Sequence, residues 1–308
     1  MALHDSDRQV HLGEETLGSA LALAFQAQGA QVIATARSQS KVSHLHQNPN
    51  PSSTSKLPIQ TLLLDVCDQQ SIRSCAEQIT SLDILINNAG GLYAMPLADA
   101  DLESSKRLFD LNVWSHLAVT QAFLPALIRS KGLIVMQTSI SSVCPVPWNG
   151  IYNSSKAALA MLTDTLRLEM EPFGVRVVEL KTGAVASRFY ENQNQQSNAA
   201  ATSPEQAQAL APTSAKLPAH SIYAKAKQAV ESAMTGTTVL KDAMPADVWA
   251  RVVVKTLMEK PEERRIWKGH NAFGVWVAGR FMPAGFLDGN MRKMGRLDEV
   301  QKFVKGGP

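Results

Sequence analysis

The sequence predicts an α/β fold, a single-domain, doubly wound parallel sheet of Rossmann-like type, from three observations. Short apolar runs alternate with helical stretches, the runs are apolar on both faces, and the segments between them are long enough for crossover helices. The runs are residues 31–35 (QVIAT), 59–64 (IQTLLL), 82–86 (LDILI), 133–137 (LIVMQ) and 175–180 (VRVVEL). A strand with no polar side needs helices above and below it. Helical patterning supplies them at 17–28, 69–80, 104–130, 150–171 and 245–259. The domain is expected over residues 1–270, with a substrate loop at about 188–240 and a C-terminal helical extension over 271–308.

Two insertions stand out as polar and aromatic-free. Residues 47–58 (QNPNPSSTSKLP) read as a surface loop. Residues 191–218 follow the last apolar run, where open sheets carry substrate loops; a lid and a solvated spacer both fit that composition. No repeat of 20 to 50 residues is present, which excludes a solenoid.

At 308 residues, 45% hydrophobic and a formal charge of +3, the chain has an ordinary globular balance. That excludes disorder over most of its length, and the lack of a Lys/Arg block argues against nucleic acid as a partner. Cys67, Cys75 and Cys144 form no C-x-x-C pair, pointing to reduced thiols in a cytoplasmic setting. The histidines include no H-E-x-x-H, so no metal is expected. Residues 1–12 lack the apolar core of a secretory signal. No transmembrane segment is expected, because the longest apolar stretch, 272–287, carries Arg280 and Pro283.

The chemistry begins with Tyr152 and Lys156, four apart in Y-N-S-S-K-A-A-L and therefore on one helix face. A phenol with a pKa of about 10 is a poor proton carrier near neutrality, and a fixed ammonium beside it favours phenolate. Thirteen residues earlier, directly after the 133–137 run, stands Ser139. A hydroxyl at the carboxyl end of a strand faces the ligand crevice of such a sheet, although Ser139 also suits a helix cap. Asn87-Asn88-Ala89-Gly90 ends another apolar run in the same way, and Asn112 lies in F-D-L-N-V-W on the next helix.

With these motifs the sequence resembles the short-chain dehydrogenase/reductase family from about Leu17 to Ser187. L-D-I-L-I-N-N-A-G-G, F-D-L-N-V-W-S and L-R-L-E-M-E-P-F-G-V-R-V look closer still to the fungal branch containing acyldihydroxyacetone-phosphate reductases, many relatives of which serve secondary-metabolite pathways. The resemblance implies that Tyr152 exchanges the substrate proton, Lys156 tunes it and holds the nicotinamide ribose, Ser139 polarises the carbonyl and Asn112 supports a water-mediated proton path. It also implies cofactor contacts at Leu17, Gly18, Asn88, Tyr152, Lys156, Val185 and Ser187.

The first βα turn departs from the family's T-G-x-x-x-G-x-G. Here the segment is Leu12-Gly13-Glu14-Glu15-Thr16-Leu17-Gly18, one step short between outer glycines, with Thr16 for the middle glycine and two carboxylates where phosphate would come. Residues 8–12 are a thin substitute for a buried first strand. An altered loop that still binds, or a start that misrepresents the functional protein, is favoured over lost affinity, because the residues for hydride transfer are retained. Cofactor choice turns on Ala36-Arg37: a carboxylate that would bond a ribose diol is missing, and a guanidinium suits a 2′-phosphate, so NADP(H) is expected. Asp65 matches the family's adenine contact, with a capping role before Gln69 as the alternative. Thr182-Gly183-Ala184-Val185-Ala186-Ser187 replaces the family's Pro-Gly and Val-x-Thr, keeping the Gly, the Val and a hydroxyl.

Trp267, Phe273, Trp276, Phe281 and Phe286 crowd the tail. Core packing is the default for them; a substrate entrance, a homo-oligomer contact or a peripheral lipid surface are the alternatives. The expected activity is an NADPH-dependent interconversion of a carbonyl and an alcohol on an apolar small molecule. A catalytically impaired chain of the same fold, acting by binding a ligand or partner, is the rival.

Overall fold

A computed structural model of the chain describes residues 9–13, 17–42, 45, 58–187 and 216–305. Glu14, Glu15, Thr16 and nearly all of both polar insertions lie outside these residues.

The strands are β1 (Gln9–Gly13), β2 (Gln31–Ala36), β3 (Gln60–Leu63), β4 (Ile84–Asn87), β5 (Leu133–Ser139), β6 (Arg176–Thr182), β7 (Val185–Ala186), β8 (Met244–Pro245) and β9 (Arg265–Lys268). Between and after them run α1 (Leu17–Ala27), α2 (Gln69–Glu77), α3 (Leu102–Phe109), α4 (Ser115–Ser130), α5 (Gly150–Met170), α6 (Lys227–Met234), α7 (Thr237–Leu240), α8 (Ala246–Glu259), α9 (Ala272–Phe281), α10 (Asp288–Met294) and α11 (Leu297–Val304). Seven strands form one parallel sheet in the order β3-β2-β1-β4-β5-β6-β9, and β7 pairs with β8 in a small parallel ladder. The first strand, thin in sequence, takes an interior place: Leu12 sits opposite Ala34 on one side and Ile86 on the other. The chain order reverses between β1 and β4, which opens a crevice at the carboxyl ends of the strands.

Side chains alternate between the two faces, as a strand requires. Val32, Ala34, Ile84, Ile86, Leu133 and Val135 pack on one face with Phe25 of α1 and Trp249 and Val253 of α8. Ile33, Leu85, Ile134 and Met136 point to the other face, against Ile72 of α2, Phe123 and Leu127 of α4 and Leu159 of α5. Trp249 and Phe123 are among the largest fully buried side chains, so both layers are dry. Residues 102–130 are long and apolar enough to cross a membrane by length and composition, yet half of their apolar stretch is buried, as in a core helix.

Local chemistry sets the ends. Asp68 accepts from the Gln70 amide at 2.9 Å and starts α2, while Asp65 Oδ1 accepts from the Cys67 amide, so the cap before Gln69 is Asp68 and not Asp65. The uninterrupted helix expected over 104–130 is instead α3, a five-residue π turn (Asp110–Trp114) and α4. Such a turn widens the backbone and is frequent at functional sites; here it carries Asn112.

Candidate active site

A cavity of about 590 Å³ fills the crevice, the size of a small-molecule site. Leu17, Arg37, Asn88, Ser139, Tyr152, Lys156, Val185 and Ser187 all line it, which brings eight of the residues expected to act together into one space. Gly18 is buried at the start of α1, and neither it nor Asp65 lines this cavity. Of the paired asparagines only Asn88 faces it; Asn87 turns the other way and donates to Thr120 Oγ1 at 2.9 Å.

Tyr152 and Lys156 project from the first two turns of α5, and the Lys156 ammonium lies 6.0 Å from the centre of the Tyr152 ring. Lys156 is 3% exposed, and its Nζ donates to the Gln137 carbonyl at 2.9 Å. Burial pushes its pKa down to about 8, so a charge kept from water sits at the cavity wall. An ammonium has three donors, and the one bond to Gln137 leaves two for a ligand. Ser139 ends β5 and fills both readings of its sequence position: Oγ accepts from the Ser141 amide at 3.1 Å as a cap, and the residue lines the cavity with its own hydroxyl proton to give.

Asn112 is fully buried and does not line the cavity. Its Oδ1 accepts from the Gly91 amide at 2.8 Å, and its Nδ2 donates to the Gly91 carbonyl and to Ser155 Oγ, each at 3.0 Å. The amide thus ties the loop after β4, the π turn and α5 together. A methyl on Gly90 would come within 3.3 Å of Asn112 Oδ1, a tight fit, and 3.5 Å of Lys156 Nζ, so that loop lies close against both side chains.

Three parts of the site escape a reading by motif. His116, one turn beyond Asn112, is buried with Nε2 2.6 Å from the Ala89 carbonyl; desolvation, then the Lys156 charge, lower its pKa to about 3. The ring is therefore neutral, and Nε2 carries the proton that the carbonyl accepts. Beneath Ser139, Lys181 Nζ lies 2.6 Å from Glu179 Oε1 and 2.6 Å from Ser142 Oγ, while Ser142 Oγ donates to the Ser139 carbonyl at 2.7 Å. Thr138 Oγ1 also donates to Glu179. Last, Val275 of α9, Leu287 just before α10 and Met291 of α10 line the cavity from a tail that carries no catalytic motif.

Gly183 shapes the floor between β6 and β7. A Cβ there would fall 2.1 Å from the His270 carbonyl, and Gly269 opposite holds φ +105°. Gly183→Ala must push His270 and Asn271 away, both of which line the cavity. The expected result is a loss of about 1–3 kcal/mol of stability with weaker ligand binding, read by urea unfolding. An unchanged urea midpoint would contradict this packing.

The fold and the cavity chemistry agree with what comparison finds. The family model described as short chain dehydrogenase matches residues 12–198. A short-chain dehydrogenase/reductase of Pestalotiopsis microspora is 43% identical over 292 residues, covering 95% of this chain and 94% of that protein. The NADPH-dependent 1-acyldihydroxyacetone phosphate reductase of Schizosaccharomyces pombe is 39% identical over 181 residues, 57% of this chain and 58% of its own length. A solved short chain dehydrogenase from Burkholderia cenocepacia, in complex with NADP, superposes with a TM-score of 0.64 at 20% identity, over 90% of this chain and 94% of that one. The chain belongs to the short-chain dehydrogenases.

Proposed function

We propose that this chain is an NADPH-dependent oxidoreductase that interconverts a carbonyl and an alcohol on an apolar small molecule, in secondary-metabolite or lipid metabolism. One observation carries the reading: Ser139, Tyr152 and Lys156 converge on one cavity, with an ammonium that has donors to spare. Arg37 at the end of β2, with no carboxylate at Ala36, supports NADP(H) over NAD(H). The Schizosaccharomyces pombe relative is NADPH-dependent by name, which points the same way. Three free cysteines, two of them buried, fit a cytoplasmic location.

When bound, the cofactor supplies hydride from the nicotinamide C4. Leu17, Arg37, Asn88, Val185 and Ser187 would hold it, and Lys156 would donate its remaining protons to the ribose hydroxyls. The Tyr152 hydroxyl gives its proton to the substrate oxygen, and Ser139 Oγ steadies the negative charge developing there. Asn112 positions α5 through Ser155. In the reverse direction Tyr152 accepts the proton.

The altered turn at residues 13–18 favours one rival, a silent protein that binds a ligand or partner without turnover. A fluorescence titration separates the two: saturable NADPH binding at micromolar concentration supports the oxidoreductase, and none supports the rival. The same titration has a pH signature. Lys156 without cofactor is charged below pH about 8 and loses its proton above it, so the Kd for NADPH is expected to be level at neutral pH and to rise as pH passes about 8. A Kd independent of pH from 7 to 10 would remove Lys156 from the ribose site.

A further inference from the structure

We infer that the cavity contains a subsite for a second substrate oxygen at Asn149, so that the substrate is a hydroxy- or oxo-ketone with an apolar body; this rests on the carbonyl-reductase reading above. Asn149 flanks the start of α5 (φ −109°, ψ 24°), where an asparagine side chain ordinarily accepts from the first helical amides. Here it makes no capping bond. Its backbone is engaged, donating to the Val146 carbonyl and accepting from the Asn153 amide. The residue is 9% exposed, lines the cavity, and finds no partner for its side-chain amide among the described residues. An amide held off its helix, unpartnered and lining the cavity is available to bond whatever enters there.

Position and chemistry then define that ligand. Asn149 and Tyr152 are three residues apart at the start of α5, so their side chains neighbour one another about one turn apart. The carbonyl that meets Tyr152 places nearby atoms of the same molecule within reach of Asn149. A primary amide both donates and accepts, which suits a hydroxyl or a carbonyl oxygen. Arg37 and Lys156 are the only Lys or Arg among the described lining residues, and both are assigned to the cofactor. Among the described residues the substrate end therefore presents no Lys or Arg to a phosphate or carboxylate, and Val146, Val275 and Met291 favour an apolar remainder.

The test uses two ketone pairs that differ by one oxygen function: phenacyl alcohol with propiophenone, and benzoylacetone with butyrophenone. Their Kd values are measured by calorimetry on the full chain saturated with NADP⁺, for the parent, Asn149→Leu and Asn149→Ser. In at least one pair the oxygenated ketone is expected to bind the parent about tenfold tighter than its partner. Asn149→Leu brings that ratio to about one, and Asn149→Ser, which keeps a hydroxyl, retains part of it. A ratio near one for the parent in both pairs, or a ratio that Asn149→Leu leaves intact, overturns the subsite. Consumption of NADPH with the same ketones is followed separately. Preference without turnover would keep the subsite and sink the reductase reading; turnover without preference would do the reverse.

Discussion

Tyr152→Phe is expected to lower kcat by about 10²–10⁴-fold, the range a positioned proton donor contributes. The change removes one oxygen and keeps the ring, which packs with Leu92 and Leu108. It therefore opens no void beneath α5, and Lys156 keeps its bond to the Gln137 carbonyl. NADPH affinity should stay close to parental, since Arg37 and Lys156 are untouched. The loss then falls on kcat and kcat/KM together, the mark of an interaction made in the transition state. Steady-state kinetics beside a cofactor titration reads this directly. A variant that turned over at the parental rate would remove Tyr152 from the proton transfer.

The second large effect is structural. Lys181→Met is expected to cost about 3 kcal/mol or more of stability, because it strands the Glu179 carboxylate in the core. Glu179 is 1% exposed, and the remaining cation, Arg265, reaches Oε2 only at 3.3 Å from a side chain half in solvent. Thr138 still donates to Oε1, which limits the damage without neutralising the charge. Removing both charges together, as Lys181→Met with Glu179→Leu, should recover most of the loss, since apolar groups of similar volume often replace a buried ion pair without cost. Urea unfolding of the parent, both single variants and the double variant closes the cycle. Additive losses in the double variant would mean that the two groups do not act as a pair.

Lys181 also bears on the active site, through Ser142 to the carbonyl of Ser139. That link explains why the sequence makes some of the site plain and hides the rest. Ser139, Tyr152 and Lys156 are legible because chemistry fixes both their type and their spacing, and the helix and strand around them repeat with clear periods. The sheet is legible for a similar reason: Ile84 to Ile86 and Leu133 to Met136 are apolar on both faces, which only a covered sheet accommodates. The interior strand at residues 9–13 is not, because QVHLG is short and mixed, and its place is set by the neighbours pairing on either side.

The π turn at Asn112 is hidden for a different reason. Nothing in F-D-L-N-V-W breaks a helical pattern; the wider turn accompanies a side chain bonded to Gly91 and Ser155, partners distant in sequence. His116, Glu179 and Lys181 look like surface polars in one dimension and become buried groups only when their partners close over them. Asp65 illustrates the reverse case: its spacing before Gln69 left a cap open as the alternative to an adenine contact, but the next carboxylate along, Asp68, has the reach to the Gln70 amide. One wall of the cavity comes from residues 271–294, which the sequence marks only by their aromatics, and of those only Phe286 lines the cavity among the described residues.

Turnover as proposed requires hydride to pass between a nicotinamide and a carbonyl in this cavity. NADPH deuterated on the nicotinamide C4, incubated with the protein and benzoylacetone or phenacyl alcohol, tests that directly by mass spectrometry of the alcohol formed. One deuterium is expected on the new carbinol carbon from one of the two C4-labelled epimers and none from the other. Alcohol formed without deuterium from either epimer would contradict it.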